Sequence, residues 1–293
     1  MKVSSTPADG RLAWRREGGA MEGARSESFT HGSQLDNYGR FMLRQLFEPW
    51  AAELLARAPV RPGDHVLDVA SGLAPVARLA AKAAGPGGRV VASDISGPML
   101  AAAAARPVPA DPGWAPVEYL ECPADAIAAD DDSFDVVLCQ QGIQFFGDRA
   151  AAVREMRRTA RPGGVVVVEV WAAGYPLGLF GPVNETLRAA GLAEPFPRAY
   201  ETAGYQVSDA ELMELFLAAG LRDVSVEAVP LDAVWDSADE VTAALFGTPF
   251  GPLVAALPAG RQRQVRDDLA RRLGASADGV TVRTVSNVAR GVT

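Results

Sequence analysis

The sequence predicts an α/β protein built on a doubly wound, seven-stranded sheet. Three observations predict it. Between residues 64 and 171, short apolar runs alternate with helical stretches at regular intervals, the rhythm of a parallel sheet with helices on both faces. The breaks between them are Gly/Pro turns, such as Gly85-Pro86-Gly87-Gly88 and Arg161-Pro162-Gly163-Gly164. Four consecutive valines, Val165–Val168, suit a strand covered on both sides. The chain has 293 residues, 48% hydrophobic and 22% charged. That composition favours a sizeable core over disorder, and the length fits one large domain or a core with a cap.

The elements follow in order. Residues 1–28 are rich in Gly, Ser, Glu and Arg without apolar periodicity, which predicts a flexible tail. Leu35, Tyr38, Phe41, Met42, Leu46, Trp50, Leu54 and Leu55 recur at helical spacing, with Pro49 expected to kink or divide the helix. His65–Ala70 is the first strand and Val76–Ala84 its helix. Arg89–Ser93, Val117–Glu121, Phe134–Cys139 and Val165–Trp171 follow as strands, with helices at Pro98–Ala105 and Ala150–Arg158. Beyond Trp171, residues 173–206 are rich in Gly, Pro and aromatics and lack periodicity. Asp209–Ala219 is a helix stopped by Gly220, and Val224–Leu231 a sixth strand. Residues 237–274 are helical but interrupted at Gly247, Pro249, Gly251, Pro252 and Pro258, and Val280–Val288 is a last strand.

Charge and composition exclude several functions. The formal net charge is −8, which disfavours a phosphate-backbone partner. Lys2 and Lys82 are the sole lysines, and the arginines are scattered rather than striped. Two cysteines, Cys122 and Cys139, make neither a disulfide framework nor a zinc site, so no metal is expected. No apolar run is long enough to span a bilayer, and no hydrophobic stretch follows Lys2. A cytoplasmic protein is the expectation, with no nucleic-acid or membrane partner.

The chemistry concentrates at Val66-Leu67-Asp68-Val69-Ala70-Ser71-Gly72-Leu73-Ala74-Pro75: a strand, a turn of small residues, then a helix. Small residues let backbone approach a ligand, and the helix N-terminus offers N–H groups to an anion. Asp94 ends the second strand, where an acid can accept hydrogen bonds from both hydroxyls of a ribose.

Residues Val66–Trp171 resemble the class I S-adenosylmethionine-dependent methyltransferases, in particular their small-molecule, UbiE-like branch. VLDVASG is similar to the first motif of that family, VVASDIS with Met99-Leu100 to the second, and SFDVVLCQQGIQFF to the fourth strand and its exit loop. EMRRTARPGG followed by VVVVEVW is similar to its helix, turn and fifth strand. The resemblance implies a Rossmann-like sheet with an N-terminal helical lid (29–58), a cofactor-binding core (59–172), and segments 173–293 that form a cap and complete the sheet. It implies S-adenosylmethionine as cofactor, contacted by Tyr38, Asp68, Ala70, Ser71, Gly72, Asp94, Ile95, Met99, Pro123, Ala124, Asp125 and Gln140. On the acceptor side it points to His31, Gln141 and Gln144 as catalytic candidates, acting on a small or mid-sized organic molecule, as in secondary metabolism. The chain departs from the family at Ala70 and Ala74, which take the places of two motif glycines. It departs again at Pro123, where an adenine-binding Asp is usual, and at Gln144 and Phe145, where the exit loop often carries histidine.

The residues also leave rivals open. The same fold can be reused for cyclisation or rearrangement without methyl transfer, and the altered glycines and missing histidine fit that use. A binding protein that keeps the cofactor as a structural element is a further alternative. A nicotinamide-dependent oxidoreductase is disfavoured, because no Gly-x-Gly-x-x-Gly follows the first strand and no Tyr-x-x-x-Lys pair exists. His65 sits at the far end of its strand and is expected to be structural.

Overall fold

A computed structural model describes residues 38–106, 113–175, 178, 180–192, 206–246, 250–274 and 279–293. The predicted tail and His31 lie outside the described residues, as does the first part of the predicted lid.

A π-helical segment, Tyr38–Phe47, runs directly into helix α1 (Glu48–Arg57). Pro49 falls in the first turn of α1, where its missing N–H costs nothing, so it divides the helix as expected. The alternating core follows: β1 (His65–Val69), α2 (Pro75–Ala84), β2 (Arg89–Asp94), α3 (Gly97–Ala105), β3 (Val117–Glu121), β4 (Phe134–Gln140), α4 (Arg149–Thr159) and β5 (Ala160–Trp171). Then come α5 (Phe180–Ala189), α6 (Asp209–Ala218), β6 (Arg222–Trp235), α7 (Ala238–Phe246), α8 (Phe250–Ala255), α9 (Ala259–Arg272) and β7 (Val280–Val292). Side-chain caps start α3 at Ser96, α4 at Asp148, α6 at Ser208 and α7 at Ser237. Gly220 stands just beyond α6 with φ +84°, the left-handed stop predicted for it.

The seven strands lie in the order β3-β2-β1-β4-β5-β7-β6. The first five are parallel, as expected, whereas β7 runs antiparallel to both β5 and β6. Three strands exceed their predicted lengths by several residues. β5 begins at Ala160, because the Arg161–Gly164 turn is absorbed as an irregularity in its pairing with β4. β6 and β7 extend to Trp235 and Val292, since each strand supplies the other's ladder along its whole length. Pro230 is tolerated in β6 because that strand is an edge.

Side-chain alternation divides the core into two faces. On one, Val66, Val136, Leu138 and Val167 pack against Trp50 and Leu54 of α1 and the alanines Ala77, Ala80, Ala81 and Ala84 of α2. Helices α5, α7, α8 and α9 join this face through Val183, Leu187, Val241, Val254 and Leu269. On the other, Leu67, Val137, Val166 and Val168 meet Val153 and Met156 of α4 and Leu212 and Phe216 of α6. Among the described residues, no helix is long and apolar enough to cross a membrane.

Candidate active site at the carboxyl ends of the strands

Register places five polar side chains on one face of the sheet. Asp68 pairs with Ala92 and Leu138; Asp94 and Gln140 follow these by two residues, so all three point the same way. Gln140 pairs with Glu169, and two residues on Trp171 pairs with Ser286. Asp94, Asp68, Gln140, Glu169 and Ser286 thus form a row across β2, β1, β4, β5 and β7. The row lies toward the carboxyl ends of the parallel strands, where open α/β sheets hold ligands.

At the β1–β2 end, the turn after β1 carries three left-handed residues, Ala70 (φ +56°), Gly72 (φ +55°) and Ala74 (φ +58°). Alanine pays about 1–2 kcal/mol for this conformation, so the turn keeps its shape without two of the expected glycines. Ala70 Cβ has room because residue 142 is glycine: a Cβ there would sit 2.6 Å from Ala70 Cβ and 2.9 Å from Cys139 Sγ. Asp94 fastens the turn, accepting from the Gly72 N–H at 2.8 Å and the Ser96 N–H at 2.8 Å. Asp68 accepts from the Ala77 N–H at 3.0 Å. Its other oxygen, Oδ1, and the Ser71 hydroxyl are buried without a hydrogen-bond partner. Burial pushes the Asp68 carboxyl up to about 8, with the nearby Asp94 charge adding to the rise and the Ala77 N–H opposing it. Burial also raises Asp94, against the pull of the Ser96, Gly72 and Ile95 N–H groups.

The remaining cofactor candidates are placed as follows. Ile95, half exposed, follows Asp94, and Met99 lies beside Gly72, 3.4 Å from where a Cβ would stand. Pro123, Ala124 and Asp125 form a turn after β3, closed by the Ala126 N–H on the Pro123 carbonyl; Pro123 and Asp125 are exposed and Ala124 half-buried. Tyr38 opens the π-helical segment.

At the β4–β5–β7 end the polar groups bond to one another. Gln141 is left-handed (φ +50°) and its amide is fully used. Its Nε2 donates to Glu169 Oε1 at 2.8 Å and to Ser286 Oγ at 2.9 Å; its Oε1 accepts from the Trp171 N–H and from Gln144 Nε2. The catalytic expectation for Gln141 is therefore corrected: no part of the amide is left for a substrate, and it acts as a brace. Gln140, expected at the cofactor, donates to the Phe47 carbonyl at 3.0 Å and ties β4 to the π-helical segment. Gln144 Oε1 is buried and unpartnered. Glu169 and Ser286 join the site without having been singled out in the sequence. The one signal was a lone charge inside the otherwise apolar run from Val165 to Trp171. Burial lifts Glu169 to about 8, against the Gln141 and Gln140 amides and the Ser286 hydroxyl. Phe47, Trp50 and Trp171 flank this end: Trp171 lies 6.5 Å from Phe47 and edge-on to Trp50 at 6.1 Å between centroids. Trp50 Nε1 donates to Thr284 on β7. His65, at the opposite end of β1, sits beside Arg161, which also grips Asp135; this is the structural setting expected of it.

Comparison with known proteins bears on the fold and the family resemblance. The sequence profile of the ubiE/COQ5 methyltransferase family matches residues 32–174. The ubiquinone/menaquinone biosynthesis C-methyltransferase UbiE of Burkholderia mallei is 33% identical over 175 residues, 60% of this chain and 63% of that protein. The chain thus spans less than two thirds of that relative's length. A candidate methyltransferase of Bacillus halodurans superposes at a TM-score of 0.52 with 17% identity, over 83% of this chain and 97% of that one. Phosphoethanolamine N-methyltransferase 2 of Haemonchus contortus, solved with S-adenosyl-L-methionine, superposes at 0.53 with 21% identity, over 84% and 52%. These structures establish the fold as one that methyltransferases use.

Proposed function

We propose that this protein is an S-adenosylmethionine-dependent methyltransferase acting on a small or mid-sized organic acceptor. The observation that carries the reading is the pair of orphaned oxygens in the β1 turn. Asp68 Oδ1 and Ser71 Oγ are buried, unpartnered and on the ligand edge of the sheet. Buried polar groups are nearly always satisfied, so this pair asks for a ligand rich in hydrogen-bond donors. The amino-acid portion of S-adenosylmethionine has that chemistry, and its ammonium would favour the ionised form of Asp68. Asp94 accepts two N–H bonds and keeps lone pairs for the hydroxyls of a ribose. Ile95 and Met99 supply apolar surface beside it for a purine. The UbiE and phosphoethanolamine methyltransferase likenesses support the same cofactor.

When bound, S-adenosylmethionine supplies a sulfonium methyl group already activated toward nucleophiles. The chain's own task is then placement and exclusion of water. The braced β4 exit loop and the Phe47–Trp171–Trp50 cluster support an acceptor with an apolar body held beside the cofactor.

Calorimetry with S-adenosylmethionine and then its demethylated product tests the reading. Both should bind, and failure of both at millimolar concentration would sink it. A protein that binds both, yet methylates nothing in a broad acceptor panel, would point to reuse of the fold for another reaction.

A further inference from the structure

We propose that Glu169 and Gln144 form the acceptor-recognition pair of this site, gripping a neutral hydroxyl group between a carboxyl O–H and an amide carbonyl. The inference rests on the methyltransferase reading for its location and on separate observations for its chemistry.

Glu169 is fully buried in β5. Its Oε1 accepts from Gln141 Nε2 at 2.8 Å and from Ser286 Oγ at 3.4 Å. Its Oε2 has no hydrogen-bond partner. With Oε1 already taken by donors, a proton on this carboxyl sits on Oε2, which makes Oε2 a donor. Gln144 is held by the other end of the same Gln141 amide: its Nε2 donates to Gln141 Oε1 at 3.2 Å. That bond turns the Gln144 amide so that its oxygen is the spare atom, and Oε1 is likewise buried and unpartnered. One amide thus braces two neighbours and leaves one spare donor and one spare acceptor. A hydroxyl is the group that both accepts and donates, so it satisfies both.

The electrical setting favours a neutral ligand. Glu169 is surrounded by the Gln140 and Gln141 amides and the Ser286 hydroxyl, with the field of Arg57 reaching it from α1. Cys139, on the opposite face of β4, stays a neutral thiol because burial raises it strongly. Burial keeps Glu169 protonated up to a pH of about 8. A charged ligand here would need an ionised carboxylate in a dry site, and buried ion pairs seldom repay their desolvation. Trp171, two residues on along β5 and on the same face, offers apolar surface for the body that carries the hydroxyl.

The test uses 2-naphthol and 2-methoxynaphthalene as probes, bound to full-length protein saturated with S-adenosylhomocysteine. The methyl ether accepts a hydrogen bond but cannot donate one. Wild type should prefer the naphthol about tenfold at pH 6.5, the worth of one hydrogen bond. Gln144→Leu, which removes the acceptor, should reduce that preference to less than about twofold, whereas Glu169→Leu, which removes the donor to both probes, should weaken both about tenfold and keep the preference. Glu169→Gln, which keeps the shape and a donor, should retain the preference. It should also remove the fall in naphthol affinity that wild type shows as pH rises from 6.5 to 9. That flattened profile decides the matter if a leucine variant fails to fold. Absence of any naphthol preference in wild type, its survival in Gln144→Leu, unchanged affinity for both probes in Glu169→Leu, or an unaltered pH profile in Glu169→Gln would overturn the proposal. If S-adenosylhomocysteine itself does not bind, the methyltransferase reading fails separately, and the naphthol comparison is read on the free protein.

Discussion

The two ends of the polar row are built in different ways. At the β1–β2 end, carboxylates bond to backbone N–H groups close by in sequence: Asp94 to Gly72 and Ser96, Asp68 to Ala77. At the β4–β5–β7 end, side chains bond to side chains, and the Gln141–Ser286 contact joins residues 145 positions apart. The first end is a local motif that a strand, a turn and a helix carry with them. The second exists only when distant strands have met, so its chemistry and the stability of the sheet share the same bonds.

Breaking the brace should therefore hurt stability, and breaking the motif should hurt cofactor binding. Gln141→Leu strands the Trp171 N–H and removes the donor to Glu169, and should lower unfolding free energy by about 3 kcal/mol in a denaturant titration. Its affinity for S-adenosylhomocysteine should stay within about threefold of wild type. Asp94→Ala should do the reverse at the ligand, weakening that affinity about 100-fold by calorimetry, as expected for charge-assisted hydrogen bonds. If the two variants affect binding equally, the contrast between the ends is wrong.

Asp68 sharpens the comparison through pH. Its folded-state carboxyl is raised from 3.8 to about 8, so between those values the unfolded chain has released a proton that the folded chain retains. Stability accordingly falls as pH rises through that window. Glu169, raised from 4.5 to about 8, adds to the same slope. Asp68→Asn should be more stable than wild type by about 2 kcal/mol at pH 8, with the gap closing near pH 4. Cofactor affinity should drop in the same variant. Thermal melts across the range check the first outcome, and a gap independent of pH would exclude it.

The smallest effect should come from the turn itself. Ala70→Gly relieves a left-handed alanine but loosens the unfolded chain and empties the contact with Gly142, so the net change should stay within about 1 kcal/mol. Gly142→Ala should cost more, because its Cβ meets Ala70. Combining the two should recover part of that loss, and a strictly additive pair in urea melts would show that the two positions do not interact.

Much of the β1–β2 end was legible in the sequence, since a strand, a small-residue turn and a following acid are all local. The left-handed angles at Ala70 and Ala74 were not, because alanine does not announce them; the pairing with Gly142 that accommodates one of them is a contact between loops. Gln141 was legible as a residue on the ligand rim, but its saturation inside the protein depends on Trp171, Glu169 and Ser286. Ser286 lies in β7, whose neighbours in the sheet cannot be read from alternation alone. Likewise Arg161-Pro162-Gly163-Gly164 has the composition of a turn. It becomes part of β5 because Gly163 donates to the Thr293 carbonyl and the Thr293 N–H to that of Gly164.

The order β5-β7-β6 has a consequence for the order of assembly. A ribosome releases β6 before β7, yet β6 touches the rest of the sheet only through β7. During synthesis β6 must wait as an unpaired ribbon while the helices that follow it emerge. The motif at β1 and β2 can close long before, since its strands are neighbours in both sequence and space. A nascent chain would thus complete the β1–β2 turn early and the β5–β7 end late, leaving an interval in which the open flank of β5 invites mispairing or a chaperone.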